Sequence, residues 1–439
     1  RRAPTAALSP TDNKMTKSFR IAAVDLNGQL RGKRVSTDMA AKQMRMPLSV
    51  LNIDIFGADI EASPLVFKTG DQDGIMETVG REPIPLPWVA GEAFLDLRVM
   101  HNEDGTPFRG DPRIALTNVL DCFSDKGWQV IAACELEFFL LEDGGNLAPP
   151  INPKTGRRLS STEILSMREL DGFDAFFNDV TEGARAMGLG DLTITGEAGI
   201  GQFEVTMAHG PALHIADNVI FLKELIKGTA RNHGMAATFM AKPFAAESGN
   251  GLHTHFSVLN AVGENIFCNE ALLESAVAGC LQAFEASTLF FAPYANSFER
   301  FVAGAHAPTS ATWGYENRTV AVRIPSGPRA ATRIEHRVAG GDANPYLMFA
   351  SIFGAALEGI EANAKPPTPT IGNAYTQPAA MPGLLPDLTA AIKGLGNPLL
   401  TKFMPAMILK NLAATKTQER NLFEKMSDHE VLLALVDTA

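Results

Sequence analysis

Cysteine is scarce in this chain: four residues in 439, Cys122, Cys134, Cys268 and Cys280, with no CxxC spacing among them. That excludes a disulfide scaffold and predicts buried thiols in a reducing compartment. Apolar runs of membrane length are missing as well, since Ala276 to Ala295 is broken by Gln282 and Glu285. The N-terminus has no charged-then-apolar signal pattern, so the expected location is the cytosol. A net charge of −11 contains no long block of one sign, which argues against a nucleic-acid backbone as partner. No GxxxxGK[ST] segment occurs, and the glycines of Gly196-Glu-Ala-Gly199-Ile-Gly201 lead into a strand pattern, so no P-loop is available to cradle phosphates.

What is present is length enough for two domains, one small and one large. Residues 1–16 read as a mobile leader or expression remnant. Residues 17–107 read as a small β-rich domain: a strand from Phe19, an Asn27-Gly28 hairpin turn, a strand from Leu30 to Val35, a helix over Thr37 to Arg45 and a strand over Ala93 to Val99. Residues 108–439 read as α+β. Asp111-Pro112 starts a helix running to Lys126. Further helices are expected at Phe173 to Met187, His214 to Asn232, Ala271 to Phe291 and Pro345 to Ala364, with residues 385 to 439 wholly helical. Pro366 to Ala380 is the most linker-like stretch of this part.

The chemistry lies in strand-like stretches whose ionisable residues alternate with apolar ones. Val130 to Leu141 carries Glu135 and Glu137 two apart, so both project from one side. Gly201 to Met207 sets Gln202, Glu204 and Thr206 against Phe203, Val205 and Met207, and Leu252 to Val258 groups His253, His255 and Ser257. In Arg333-Ile-Glu335-His-Arg337 an acid lies between two arginines. With Glu197, six candidate ligands result: Glu135, Glu137, Glu197, Glu204, His253 and Glu335. One such strand alone is equally an edge strand with a wet side. Several carboxylates packed together repel one another and lose hydration unless cations sit among them. Oxygen donors with a single histidine suit Mg2+ or Mn2+ rather than zinc. Arg300, Arg318, Arg323, Arg329, Arg333 and Arg337 follow within one segment, and beside a divalent-metal cluster such arginines suit phosphate and carboxylate groups.

Five stretches in order resemble the glutamine synthetase superfamily from about Phe19 to Pro345. They are Glu135-Leu-Glu137-Phe-Phe-Leu, Glu197 to Glu204, Thr238-Phe-Met-Ala-Lys-Pro-Phe through Gly251-Leu-His253-Thr-His255, Asn296-Ser-Phe-Glu-Arg300, and Asn317-Arg318 through Arg333-Ile-Glu335-His-Arg337 to Asn344-Pro345-Tyr346. The resemblance implies an α+β fold: a small N-terminal β-grasp domain and a large catalytic domain whose curved antiparallel sheet forms a funnel surrounded by helices. It implies ring-shaped oligomers, often dodecamers, with active sites between subunits. Carried over by position, Glu137, Glu197 and Glu204 hold one metal ion, and Glu135, His253 and Glu335 another, two or three Mg2+ or Mn2+ in all. Arg300 takes the α-carboxylate of glutamate, Gly249 its backbone contact and Arg337 its γ-carboxyl. Arg318 and Arg323 face the ATP phosphates, with His255, Ser257 and Arg333 nearer the nucleoside. The implied reaction is ATP-dependent phosphorylation of the γ-carboxylate of glutamate, followed by displacement of phosphate by a nitrogen nucleophile.

Two departures bear on that nucleophile, and a third, at Ser248, on the grip on the glutamate amino group. Glutamine synthetases place a glutamate on the flap where this chain reads Gly304-Ala-His306-Ala-Pro308, and an ammonium-binding aspartate where it reads Gly57-Ala-Asp59-Ile. Asparagine usually stands where this chain has Ser248. Losing anions around a small cation disfavours ammonium, whereas His306 can serve as base toward an alkylammonium. The pattern is similar to the γ-glutamyl-amine ligases of the family, including γ-glutamylputrescine synthetases, and predicts transfer of the γ-glutamyl group to a primary amine or polyamine. The competing readings are glutamine synthesis from ammonium and a non-catalytic structural or regulatory relative. Glu316 and Asp59 are the candidate anions for the far end of a diamine.

Overall fold

Two sheets divide the strands along the chain. The computed structural model describes residues 17–144, 147–302 and 307–438. Six strands form the first sheet: β1 (Ser18–Val24), β2 (Leu30–Ser36), β3 (Met44–Pro47), β4 (Asp73–Thr78), β5 (Ile84–Pro85) and β6 (Ala93–His101). Their order is β2-β1-β6-β4-β3, with β5 on β6, and β1 and β6 lie parallel in the middle as in a β-grasp arrangement. The hairpin turns at Asn27-Gly28, where Gly28 has φ +79° and Asp25 Oδ1 accepts from the amides of Asn27 and Gln29. The helix expected over Thr37 to Arg45 ends at Ala40. The chain then extends as β3, because Met44 and Met46 alternate into a core with Met76 and Met100.

The second sheet is built around β7 (Gln129–Glu142), after the two-residue ribbon β8 (Ile151–Asn152) and β9 (Arg157–Arg158) is set aside. Its other strands are β10 (Leu192–Gly196), β11 (Gln202–Met207), β12 (Gly210–Pro211), β13 (Met235–Thr238), β14 (Leu252–Leu259), β15 (Trp313–Tyr315), β16 (Val322–Ile324) and β17 (Ile334–His336). The order is β10-β11-β7-β14-β17-β16-β15, with β12 and β13 also on β7, and every pairing is antiparallel except β15 with β16. Leu136, Phe138, Phe203, Val205, Leu252, Phe256 and Ile334 point to the back face and are fully buried. They share one core with the helices Pro112–Ser124, Ala212–Asn232, Glu270–Gln282 and Pro345–Glu361. The apolar back is what forces the ionisable residues of the same strands onto the front.

Two further helix readings change. The Ala271 to Phe291 helix divides into Glu270–Gln282 and Thr288–Phe291. At the break Thr288 Oγ1 donates to the Glu285 carbonyl, a side-chain bond that competes with helix continuation. The described part of residues 385 to 439 holds three helices, Leu388–Gly394, Ala406–Phe423 and Asp428–Thr438. The first gap contains Gly396-Asn-Pro398 and Pro405, where proline cannot continue the ladder, and the second is the turn Glu424-Lys-Met-Ser427. Pro366 to Ala380 is no free linker: it runs along β15, with Trp313 Nε1 donating to Pro367 O and Thr370 N to Trp313 O. Of the thiols expected to be buried, Cys134 and Cys280 are, while Cys122 is exposed and Cys268 half-buried.

Among the described residues no helix is long and apolar enough to cross a membrane. Helices Glu270–Gln282 and Pro345–Glu361 cross in close contact, where a side chain on Gly279 would meet Ala355 O at 2.0 Å. A buried polar brace ties the helix Ala406–Phe423 to the first hairpin turn and to the loop at Ile55. Glu419 accepts from Asn27 Nδ2 at 2.8 Å and from Ile55 N at 2.9 Å, and Lys416 Nζ donates to both Glu419 and Asn27.

Candidate active site

Register, rather than proximity in sequence, assembles the ionisable face. Glu204 on β11 lies opposite Glu137 on β7, and Glu135 on β7 lies opposite His253 on β14. His255 on β14 lies opposite Glu335 on β17, and Glu335 opposite Arg323 on β16. Partners directly opposite in an antiparallel pair share a face. Five adjacent strands therefore carry one row of acids, histidines and arginine across the front of the sheet.

At the acidic end, Glu137, Glu197 and Glu204 each offer an oxygen within 4.8 Å of the others. Glu197 stands just beyond the end of β10 rather than within a strand, and its amide donates to Gln202 O at 2.9 Å. Glu137 Oε2 accepts the amide of Gly251 at 2.6 Å, and among the described residues no cationic side chain is hydrogen-bonded to any of the three. Burial, then the charge of Glu137, pushes Glu197 up to about 7. Burial, then Glu135, Glu137 and Glu197, pushes Glu204 up to about 8. Three carboxyl groups crowded together, two of them with raised pKa values, are a set whose charge a hard divalent cation would balance. The donors fit such an ion.

In the middle, burial would raise the Glu135 carboxyl, but hydrogen bonds from His253 (3.1 Å) and His255 (3.0 Å) outweigh it and hold it well below the carboxylate range. Arg333 Nε donates to His255 Nδ1 at 3.3 Å, which leaves His255 Nε2–H to donate to Glu135. The groups that can share an ion here are Glu135, Glu204 and His253, and Glu135, His255 and Glu335. Glu335 is thus grouped with His255 rather than with His253, beside which the sequence set it.

At the basic end, Glu335 is 1% exposed and sits between Arg323 Nη1 (2.6 Å) and Arg337 Nη1. Burial would raise its pKa, but Arg337, then His253 and His255, lower it overall. The Nε atoms of both arginines are buried without a partner among the described residues. Arg300, also buried, donates to Val338 O at 2.6 Å. A side chain on Gly249 would meet Ala241 O at 2.5 Å and Arg300 Cγ at 2.6 Å, and one on Gly251 would meet Arg300 Nη2, His253 Nε2 and Glu137 Oε2 within 3.3 Å. Only glycine lets these three groups close around one point. Exposed Arg318 stands near enough to Glu197 for its charge to oppose that group's raised pKa. Glu316, proposed for a diamine, instead faces Arg323 at 3.4 Å and accepts from Ser326 N. Asp59 is exposed on a turn whose carbonyl accepts from Gln418. His306 and Gly304 lie outside the described residues, while Ser248 lies within them.

A cavity of about 610 Å³ opens beside Glu135 and is lined by His255, Ser257 and Arg333. Thr206, Met207, His209 and Asn265 complete its walls, and the sequence reading missed their part in it. Asn265 holds the rim by donating to Ala330 O (3.1 Å) and Thr332 O (2.7 Å), and Ser257 Oγ donates to Thr332 O at 2.9 Å. The sequence signal for Met207 and His209 was their continuation of the Glu204 strand, whereas Asn265 carried none.

The profile of the glutamine synthetase catalytic domain matches residues 109–432. The γ-glutamylputrescine synthetase PuuA of Escherichia coli strain K12 is 33% identical over 431 residues, covering 94% of this chain and 90% of its own. A glutamate–isopropylamine ligase of a Pseudomonas species is 32% identical over 379 residues, covering 82% and 81%. The solved structure of ligand-free GmaS superposes with a TM-score of 0.81 at 28% identity, covering 95% of this chain and 96% of that one.

Proposed function

The chain belongs to the glutamine synthetase family, in its branch of ATP-dependent γ-glutamylamine ligases, and from that premise we propose that it joins the γ-carboxyl of glutamate to a primary amine or polyamine. The products are a γ-glutamylamide, ADP and phosphate. The observation that carries this reading is the continuous row from Glu204 to Arg323, which sets unneutralised carboxylates at one end and half-paired arginines at the other. Cation-binding and anion-binding groups on one face are what phosphoryl transfer to a carboxylate requires.

The family depends on ATP and a divalent metal. Glu137, Glu197 and Glu204 would hold one Mg2+ or Mn2+. Glu135 would hold the other, with His253 and Glu335 by the resemblance, although the geometry groups Glu335 with His255; such ions offset charge on transferring phosphoryl oxygens. The 610 Å³ cavity would take the nucleoside against His255, Ser257 and Arg333, with Arg318 and Arg323 on the phosphates. Arg300 and Gly249 would hold the α-carboxylate end of glutamate, and Arg337 its γ-carboxyl. In the first step a γ-carboxylate oxygen bonds to the terminal phosphorus of ATP and ADP leaves. In the second the amine nitrogen bonds to the acyl carbon, the carbon–oxygen bond to phosphate breaks, and the nitrogen gives up a proton, which His306 is assigned to accept. We also infer rings of subunits with shared sites, to be checked by light scattering and microscopy.

Phosphate release from Mg-ATP and glutamate is to be measured with ammonium, methylamine, isopropylamine, ethanolamine, putrescine and spermidine. Turnover with one amine far above ammonium is expected. Turnover mainly with ammonium would make the enzyme a glutamine synthetase instead.

A further inference from the structure

Tyr375 lies in the stretch that reads as a linker, yet it is held firmly. Asn317 Nδ2, next to Arg318, donates to Thr370 O (3.1 Å) and Gly372 O (2.8 Å). The amide of Ala374 donates to Thr319 Oγ1 at 2.9 Å, and that of Tyr375 to Asn373 Oδ1 at 3.0 Å. The strap carrying Tyr375 is therefore laced to the turn that carries Arg318. Its ring is half-buried, but its hydroxyl is fully buried and has no hydrogen-bond partner among the described residues. A buried hydroxyl without a partner loses hydration with nothing in return, so such groups are uncommon unless a ligand supplies the partner.

The neighbours show which ligand. Burial raises the phenol's pKa while Arg337, then Arg300, act to lower it, so both positive charges are felt at the hydroxyl. Neither is bonded to it, and the Nε of Arg337 is itself buried without a partner. The phenol oxygen can accept from a guanidinium, but a guanidinium cannot accept the phenol's proton, so that donor needs an acceptor from elsewhere. An anion with several lone pairs placed among them satisfies all three.

We propose that the Tyr375 hydroxyl binds glutamate, donating a hydrogen bond to a carboxylate of the substrate that Arg300 and Arg337 hold at its two ends. The assignment rests on the proposed ligase reading and adds to it a third donor from a separate part of the chain. The hydroxyl needs no change of protonation: it donates to the carboxylate and leaves the cations to carry the charge.

Tyr375→Phe removes the donor and keeps the ring. Calorimetric titration of glutamate into protein loaded with Mg2+ and ADP should show binding weakened roughly 10- to 100-fold, the range for a hydrogen bond to a charged group. The KM for glutamate should rise in parallel, with the KM for ATP within about twofold of wild type. The thermal midpoint without ligand should hold or rise, because an unsatisfied buried group is gone. Thr319→Val, which loosens the strap without touching the site, should weaken glutamate binding less, in the same direction. Unchanged glutamate affinity in Tyr375→Phe overturns the proposal. So does an effect confined to the amine, or a lowered midpoint with equal losses for every substrate. The parent reading is judged separately by wild-type turnover with the amine panel, which does not enter the titration. A wild-type protein that binds glutamate but uses no amine would sink that reading and leave the Tyr375 comparison decisive.

Discussion

The two ends of the ionisable row solve one problem in opposite ways. At the basic end Glu335 is the most buried carboxylate of the set, and its own chain supplies two guanidinium groups that keep it ionised. At the acidic end no cationic side chain among the described residues is hydrogen-bonded to Glu137, Glu197 or Glu204, and burial with mutual repulsion moves Glu197 to about 7 and Glu204 to about 8. The same residue type on the same sheet face is thus neutralised internally in one place and left for an external ion in the other. A finished ion pair is structure, whereas an unfinished one is a binding site.

The comparison breaks most visibly at Glu335. Glu335→Ala leaves two buried arginines without their carboxylate and should abolish ATP turnover, by on the order of a thousandfold or more. It should also cost about 3–5 kcal/mol of stability, as expected when one partner of a buried pair is removed. Denaturant unfolding and phosphate release check both, and retained turnover would remove Glu335 from the site.

Glu204→Gln tests the other end and should separate the two readouts. Activity should fall more than about 100-fold, beyond what loss of an outer-shell group causes. The metal-free protein should become more stable at pH 8, because one of the crowded carboxylates can no longer ionise. A thermal midpoint that drops on Glu204→Gln would mean this end is already neutralised without metal.

A pH series sharpens the contrast without mutation. Raised folded-state pKa values at Glu197 and Glu204 contribute stability that is complete below the ordinary glutamate value of about 4.5 and is lost as pH rises through about 7 and 8. Glu335, whose pKa is lowered, contributes stability above about 4.5 that is lost only on further acidification. From these groups the chelator-treated protein should lose stability between pH 5 and pH 8 by several kcal/mol, about 1.4 kcal/mol per pH unit for each group until its folded pKa is reached. Saturating Mg2+ should flatten that slope and release protons on binding, which calorimetry in two buffers can count. The smallest effect is expected at the cavity rim. Asn265→Ala should raise the KM for ATP a few-fold, in line with about 1 kcal/mol for a neutral hydrogen bond, and leave the KM for glutamate unchanged.

Much of the candidate site was legible because strands have period two. Glu135 with Glu137, and His253 with His255, could be set on one side by counting alone. Proline and glycine signals placed the hairpin at Asn27 and the helix starts at Asp111 and Asn344, each with a side chain capping the first amides. Periodicity failed where side chains compete with the backbone or where tertiary packing overrides local preference. Thr288 interrupted a helix that the apolar pattern continued, and Met44 and Met46 drew a predicted helix into a sheet. Tyr375 was invisible, since a tyrosine in a Pro- and Gly-rich stretch gives no local sign of where its hydroxyl ends.

The sequence by itself determined which residue types face together within each strand, because alternation is a property of the backbone alone. Only the tertiary structure decided which strands are neighbours, and so which acids meet arginines and which meet only one another. That choice rests on register between segments as distant as Glu204 and Arg323, which no local rule encodes. The buried back face fixes it, since a slip of one residue would turn Phe138, Phe203 and Phe256 out of the core and the carboxylates into it.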